Sequence, residues 1–421
     1  MNTFLASLLI FTFVNQSAPS DSVSLNYCYQ QAEEYYPAAK KVALQEKITE
    51  LNINIVNTGY YPQVSVNGRA SYQSEVTEFG LPGGGAPPVS KDQYEASIQL
   101  SQNIYNGGVT AIRKDLERTQ GMQEVLSTKV ELQQVRAQID QVYFGILLSQ
   151  QQMEATKLMI SELDERLEGV RSKVENGVLL KSQQLILEAG LIKAKQDSAS
   201  IMANITSGYL VLGELIGEKL NPFIKLTLPD PVSEGVVTDV ARPEMALFEN
   251  SVKALEQQKK LVQTGKIPRI SAFGSAAYGR PGLNFLNDDF HDYYMVGLRL
   301  NWNLMDFLNA DEQNEVLNIR QKTIRQNEES FTLQLQTQLS RIEERIKAIK
   351  ENIIHDKEII EIRELVVAES SNQLENGVIT ATEYITELTH ANRARLSLLT
   401  NEIKLVQARA EYRTALGLDL E

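Results

Sequence analysis

The chain has 421 residues and a formal net charge of −13, because 54 acidic residues stand against 41 Lys and Arg. This acidic excess argues against a nucleic-acid-binding protein, which needs clustered positive charge to neutralise phosphates. One cysteine excludes an internal disulfide, and His291, His355 and His390 do not have the spacing of metal ligands. No nucleophile–base set or phosphate-binding loop is found, so we expect no enzyme activity, no cofactor and no metal.

Residues 1–20 are predicted to be a secretory signal peptide. The stretch from Phe4 to Val14 is almost entirely apolar, and it is too short to anchor stably in a bilayer. Small and polar residues follow, so we expect cleavage between Ser17 and Ser22. Beyond this stretch no run of about 18 apolar residues occurs, and no transmembrane helix is expected.

The mature chain begins with a helical pattern and then changes to the pattern of strands. Residues 23–58 predict a helix that starts or kinks at Pro37. Gly59 ends this helix, and the stretch from Pro243 to Gly265 repeats the arrangement. Four segments then alternate apolar and polar residues, which is the period of a strand with one apolar face. These segments are residues 63–75, 93–104, 270–278 and 294–304.

The predicted strands fit two environments. Strands with one apolar face usually form hairpins that pack on the core of a soluble protein. A membrane is favoured because each strand has about 10–13 residues, the length that a tilted membrane strand needs. Tyrosines and Trp302 stand near strand ends, as in an interfacial girdle, and the chain offers almost no other globular core. Four strands cannot close a barrel, so several chains must pool them in a membrane.

Two pairs of long helices complete the pattern. Residues 108–174 carry apolar residues at heptad spacing without proline, and they predict a helix about 100 Å long. Residues 181–216 predict the helix that returns. The second pair is predicted at residues 311–374 and 380–416, where Thr380-Ala381-Thr382-Glu383 is a capping-box pattern.

The chain is a duplication of one unit. Val174-Glu175-Asn176-Gly177-Val178 and Leu374-Glu375-Asn376-Gly377-Val378 stand 200 positions apart, each between two long helical patterns. Asn-Gly favours a left-handed backbone that ends a helix, so each stretch predicts the turn of a helical hairpin.

Upstream of these turns the offset between the copies changes. Pro37 and Pro243 stand 206 positions apart, and the extra residues fall in the loop from Gly80 to Pro88, where insertions are tolerated. We therefore predict a first repeat at residues 21–220, a linker at 221–242 and a second repeat at 243–421.

The duplicated order of helix, strand hairpin, very long helix, Gly turn and returning helix resembles the family of TolC-type outer-membrane efflux channels. The resemblance covers nearly the whole mature chain, and it includes the stretches Gly59–Gln63 and Gly265–Arg269 that precede the first and third strands. It implies a mainly α fold with a small β part. Long helical hairpins would form an α-barrel, and the four strands would contribute to a 12-stranded trimeric transmembrane β-barrel.

The resemblance also implies a location and partners. A homotrimer would span the outer membrane, in contact with its lipid, and its helices would form a tunnel in the periplasm. Substrates would leave passively after delivery by an inner-membrane pump or secretion transporter, through a periplasmic adaptor protein. Multidrug efflux and type I secretion both fit this arrangement, and drugs, dyes, metal ions and secreted proteins all stay open as cargo.

The same resemblance places the functional residues at the two turns. Glu383 and Thr386 stand where the best-studied members carry gate aspartates. Glu383 also fits a purely structural role as a cap partner of Thr380. Leu374 and Ile379 occupy the positions of a Tyr and an Arg that form a polar latch in some members, so no such latch is expected. The residues expected to touch the adaptor are Asn176, Gly177, Val178, Asn376, Gly377 and Val378.

Two other interpretations compete with a channel. One is a periplasmic or surface coiled-coil structural protein whose hairpins pack on each other. The other is a periplasmic adaptor, which is also a helical hairpin with β parts. An adaptor places its β segments on both sides of one hairpin, whereas this chain has two hairpins and two strand pairs.

Overall fold

The computed structural model describes residues 22–76, 90–229, 240–284 and 287–418. The predicted signal peptide and the loop from Gly80 to Pro88 lie outside the described residues. The chain divides into two compact units made of interleaved segments. Unit 1 consists of residues 1–40, 131–242 and 334–421, and unit 2 consists of residues 41–130 and 243–333. The boundaries of the predicted repeats stay a prediction.

The helices follow the predicted order. They are α1 Leu25–Tyr35, α2 Pro37–Asn57, α3 Val109–Glu175, α4 Lys181–Ile216, α5 Pro243–Thr264, α6 Leu304–Glu375 and α7 Ala381–Leu416. Pro37 is the first residue of α2, where its missing N–H has no cost. The α3 helix is continuous over 67 residues and α6 over 72 residues.

One boundary was predicted wrongly. The apolar alternation through Trp302 and Leu304 was assigned to a strand, but the strand ends at Asn301 and α6 begins at Leu304. The side-chain oxygen of Asn303 accepts a hydrogen bond from the backbone N–H of Met305 at 3.1 Å. This is the chemistry of a helix start, and it outweighs the strand-like alternation.

Four antiparallel strands form one open sheet in the order β2-β3-β5-β6. The strands in chain order are β1 Ser22–Val23, β2 Gln63–Tyr72, β3 Asp92–Tyr105, β4 Lys225–Leu226, β5 Arg269–Arg280 and β6 His291–Asn301. The register places Val66, Ile98, Ala276 and Tyr294 in one row across the sheet. The alternating apolar residues of the four strands therefore share one face, whereas Phe273 lies on the opposite face. The short strands β1 and β4 pair separately, in parallel.

The apolar face of the sheet is not covered by the described part of the chain. Val66 and Tyr294 are each 76% exposed, and Val296 and Leu298 are each 74% exposed. This disagrees with hairpins packed on a soluble core, because such packing would bury these side chains.

A hydrophobic core lies in unit 1, contrary to the expectation that the chain has almost none. Predicted seam residues of α3, including Val135, Ile139 and Ile146, are buried, and Tyr143 and Phe144 are buried in the same cluster. The α1 helix contributes Leu25, Cys28, Tyr29 and Ala32 to the same core. Burial raises the pKa of the Cys28 thiol to about 12, so this cysteine is not a nucleophile at neutral pH.

A buried carboxylate joins three helices of this core. Asp140 of α3 is 7% exposed. Its Oδ1 accepts a hydrogen bond from the Tyr29 hydroxyl of α1, and its Oδ2 accepts one from the Thr414 hydroxyl of α7 at 3.1 Å. Loss of water around the carboxyl raises the pKa of Asp140 from 3.8 to about 6.

Among the described residues, α4 is the one helix whose length and hydropathy would suit a membrane span, a feature that the sequence analysis did not expect. In unit 1 its residues Leu187, Leu191, Tyr209 and Leu212 are buried in the helical core. Only 28% of the most apolar stretch of α4 is buried, however, so most of its apolar surface is exposed in the single chain.

Candidate functional site at the hairpin turns

The turn between α3 and α4 is fixed by its backbone hydrogen bonds. Gly177 has φ +75°, a left-handed conformation that glycine adopts without strain. The Val178 N–H donates to the Lys173 carbonyl at 2.8 Å, and the Gly177 N–H donates to the Val174 carbonyl at 3.0 Å. These two bonds form a Schellman motif. The Asn176 side chain adds a third bond, to the Ser172 carbonyl at 2.8 Å.

The turn between α6 and α7 has the same geometry. Gly377 has φ +70°, and the Val378 N–H donates to the Gln373 carbonyl at 2.9 Å. The Asn376 side chain donates to the Asn372 carbonyl at 2.9 Å. The two predicted helical hairpins and their Asn-Gly turns are thus confirmed as structural elements.

The capping box at the start of α7 is also confirmed. The Thr380 N–H donates to the Glu383 carboxylate at 2.7 Å, and the Glu383 N–H donates to the Thr380 hydroxyl at 3.3 Å. The hydrogen bonds from Thr380 lower the pKa of Glu383, which is fully exposed. Glu383 is therefore ionised at neutral pH.

Glu383 and Thr386 lie on the exposed side of α7, one turn apart. The other side of the same turn buries Ala381, Tyr384 and Leu388. The Thr386 hydroxyl donates to the Thr382 carbonyl of its own helix at 2.8 Å. The carboxylate of Glu383 thus faces away from the helical core. Among the described residues, no group of His, Cys, Asp or Glu side chains is placed to hold a metal ion.

An apolar cluster packs the two turns of one chain together. It combines Leu163 and Leu167 of α3, Leu187 of α4, Leu374 of α6 and Leu388 of α7. Ile379 is partly buried against it. The two positions expected to lack a polar latch, Leu374 and Ile379, are therefore apolar packing positions.

A different set of polar contacts joins the two hairpins, and the sequence analysis missed it. The Arg166 guanidinium pairs with the Glu375 carboxylate, donates to the Ser371 hydroxyl and lies over the Tyr384 ring at 5.5 Å. The Lys173 ammonium donates to the backbone carbonyl of Glu375 at 2.8 Å. Arg166 and Glu375 are 209 positions apart, so no local pattern signals their contact.

The turns also present apolar side chains to the outside. Val178 is 68% exposed, Leu180 is 70% exposed and Val378 is 72% exposed. Exposed apolar residues on rigid turns are typical of a contact surface for another protein.

Comparison with known proteins gives one family match over part of the chain and several matches to solved structures. Residues 28–189 match the sequence model of a family described as outer membrane efflux protein. No curated protein sequence matches the chain.

Three solved structures share the fold over nearly the whole chain. The outer membrane protein VceC of Vibrio cholerae is 14% identical, with a TM-score of 0.72 over 94% of this chain and 97% of its own. CusC, described for its transmembrane channel formation, is 12% identical, with a TM-score of 0.76 over 97% and 96% of the two chains. The Campylobacter jejuni CmeC outer membrane channel is 12% identical, with a TM-score of 0.69 over 93% and 85%.

The family match includes the first hairpin turn, and the structural matches extend the same fold through the second repeat. Residues 28–189 thus match the outer membrane efflux protein family, and nearly the whole chain shares the fold of the solved outer-membrane channels.

Proposed function

We propose that three copies of this chain form a channel through which substrates leave the cell passively across the outer membrane. The open sheet is the observation that carries this proposal. β2 and β6 are its edges, and β6 runs antiparallel to β2. The β6 edge of one copy therefore fits the β2 edge of the next, and a closed cylinder leaves no backbone group unpaired in lipid.

The exposed faces support the same assembly. The apolar face of the sheet suits lipid, while its polar face suits a water-filled interior. In unit 2, α2 carries a second apolar surface at heptad-like spacing, formed by Leu44, Ile48, Leu51 and Ile55, which are 47–66% exposed. A helix of a neighbouring copy would bury this stripe, as in a coiled-coil seam.

Disulfide crosslinking tests the closed cylinder. In a Cys28→Ala background, Ser65→Cys on β2 is combined in turn with Cys at positions 293, 295, 297 and 299 on the same face of β6. The proposal expects crosslinks between chains that yield a covalent trimer in detergent. A soluble monomer, or crosslinks formed only within one chain, would refute it.

The carboxylate of Glu383 is proposed to line the narrow periplasmic end of the channel. Three copies would bring three ionised carboxylates together, and crowded carboxylates attract cations. Glu383→Gln is expected to weaken the block of single-channel current by divalent cations. Thr386→Glu, which adds a second carboxylate one turn away, is expected to strengthen it. If the block by divalent cations is unchanged in both variants, the pore role of Glu383 is refuted and only its capping role remains.

The two turns are proposed to dock a periplasmic adaptor that links the channel to an inner-membrane pump or secretion transporter. The contact residues are Asn176, Gly177, Val178, Asn376, Gly377 and Val378. A photo-crosslinker at position 178 or 378 is expected to capture a periplasmic adaptor protein in the native envelope. The matched control is Val240, an exposed valine in the connection between the repeats. Equal capture from all three positions would contradict the assignment.

A further inference from the structure

The polar face of the sheet is positively charged in a chain that is strongly negative. Its charged side chains are Arg69 on β2, Glu95 on β3, Arg269 on β5 and Arg299 on β6, all on the face opposite the apolar row. Three arginines against one glutamate leave two positive charges per chain. The net charge of the whole chain is −13.

Two of the arginines lack an acidic partner. Arg69 and Glu95 pair at 3.8 Å, and the Tyr293 hydroxyl donates to the same carboxylate at 2.9 Å. Arg269 and Arg299, in contrast, form no ion pair within the described part of the chain. Their charges are therefore available to something outside the sheet.

The register brings Arg269 and Arg299 close together. Arg269 lies opposite Asn301, and Arg299 lies opposite Ser271, so the arginines are diagonal neighbours on adjacent strands. Such diagonal residues are about 7–8 Å apart, and like charges at this spacing repel each other. Both arginines are exposed. Arg269 begins β5, just after α5, and Arg299 stands near the end of β6, just before α6, so both lie at the same end of the sheet. A bound anion would relieve the repulsion.

The Arg299 guanidinium lies against an aromatic ring. It lies over the Phe273 ring at 5.0 Å from the centroid. Phe273 in turn lies against Gly297, where a Cβ atom would come within 2.9 Å of the ring. Stacking on a ring leaves the edge N–H groups of a guanidinium free to bind a carboxylate, while the ring offers an apolar surface beside it.

We propose that Arg269 and Arg299, with Phe273, form a binding site for organic anions on the inner wall of the barrel. This inference rests on the proposed trimeric channel. Three copies place six unpaired arginines in one ring where the barrel meets the helices. The ring concentrates anions in the lumen, and the aromatic ring of Phe273 favours aromatic carboxylates over chloride.

Reversal potentials in planar bilayers test the charge of the ring. All variants carry Glu383→Gln, so that the tip carboxylates do not set the ion preference. In a KCl gradient, the double variant Arg269→Gln/Arg299→Gln is expected to lower the chloride-to-potassium permeability ratio at least about threefold. The reason is that a ring of like charges in a narrow passage changes the local concentration of counter-ions ~10-fold or more. The control, Arg69→Gln/Glu95→Gln, removes a paired plus and minus charge and is expected to leave the ratio unchanged.

Benzoate as a probe separates stacking from charge. Millimolar benzoate is expected to reduce chloride current through the parent channel. Phe273→Leu keeps both arginines, so it should retain the permeability ratio and lose the block by benzoate. Trimers of all variants are compared by elution in detergent before measurement. A conducting trimer whose permeability ratio is unaffected by removal of both arginines overturns this inference alone, whereas a protein that forms no channel overturns the proposed function with it.

Discussion

The buried carboxyl of Asp140 is expected to make the protein less stable at neutral pH than at acidic pH. Its pKa is raised from 3.8 to about 6, because burial penalises the ionised form more than Tyr29 and Thr414 stabilise it. A group with a raised pKa in the folded state binds more protons folded than unfolded, so stability falls as pH rises from about 4 to about 6. A pKa difference of one unit corresponds to ~1.4 kcal/mol of unfolding free energy, so a rise of about two units lowers that free energy by ~3 kcal/mol.

Asp140→Asn removes this titration while it keeps a group that accepts one hydrogen bond and donates another. The variant is expected to be more stable than the wild type above pH 6, by up to ~3 kcal/mol. For a chain of this length that corresponds to ~3–4 °C in melting temperature. Below pH 4 the difference should vanish, because the wild-type carboxyl is then neutral.

The assay is thermal unfolding of the full-length protein in detergent at pH values from 3.5 to 8. The matched control is Asp197→Asn, which changes an exposed carboxylate of α4 that pairs with Lys193 at 2.8 Å. The control retains Asp140 and should therefore lose stability with rising pH as the wild type does. A pH-independent difference for Asp140→Asn, or greater stability of the wild type at pH 8, would show that burial does not penalise the ionised carboxyl and that the reasoning is wrong.

Four further outcomes are expected, three of them at the hairpin turns. Thr380→Ala removes the side-chain cap of α7 and should lower the local unfolding free energy by ~1 kcal/mol, measured by hydrogen exchange in its first turn. Gly377→Ala forces alanine into φ +70° and should destabilise the turn by ~1–2 kcal/mol. Gly169→Ala, inside α3 with open space around a Cβ, should stabilise by ~0.5–1 kcal/mol in the same exchange measurement. Arg166→Gln removes one of the two cations that pair with the Glu375 carboxylate and should raise single-channel conductance by loosening the tip. Among the described residues, Arg171 pairs only within the first hairpin, with Glu168 at 2.8 Å and Glu188 at 3.8 Å, so Arg171→Gln should leave the conductance unchanged.

Elements with a local signal were predicted from the sequence to within a few residues. The bounds of α4, the Schellman turns and the Thr380 capping box agree with prediction because each depends on neighbouring residues. The error at Leu304 arose where two local patterns compete, strand alternation and the Asn303 cap. The structure follows the Asn303 cap, and the backbone is helical from Leu304.

Features that depend on distant residues were missed. Tyr143 and Phe144 are fully buried, but they stand beside the heptad seam rather than on it, and contacts with α1 and α4 explain their burial. The Asp140 site joins residues 111 and 274 positions away. In the sequence, Arg166 cannot be told from other exposed charged residues of a helix. Its ion pair with Glu375 appears only when α6 is packed beside α3. A duplicated pattern predicts the copies, but it does not predict how one copy packs on the other.

The two repeats share a turn and differ in the helix that follows it. Thr380 and Glu383 cap α7, whereas Leu180 and Gln183 occupy the equivalent positions of α4, and Leu180 makes no capping bond. Leu180 is instead 70% exposed beside its turn. In the proposed trimer, the three positions of Glu383 would therefore carry carboxylates and the three equivalent positions of Gln183 would not, while the three Leu180 side chains would be apolar. Under the proposed function, both repeats would offer apolar side chains for docking, but only the second would place a carboxylate at this position for the pore, a difference that one unrepeated hairpin would not provide.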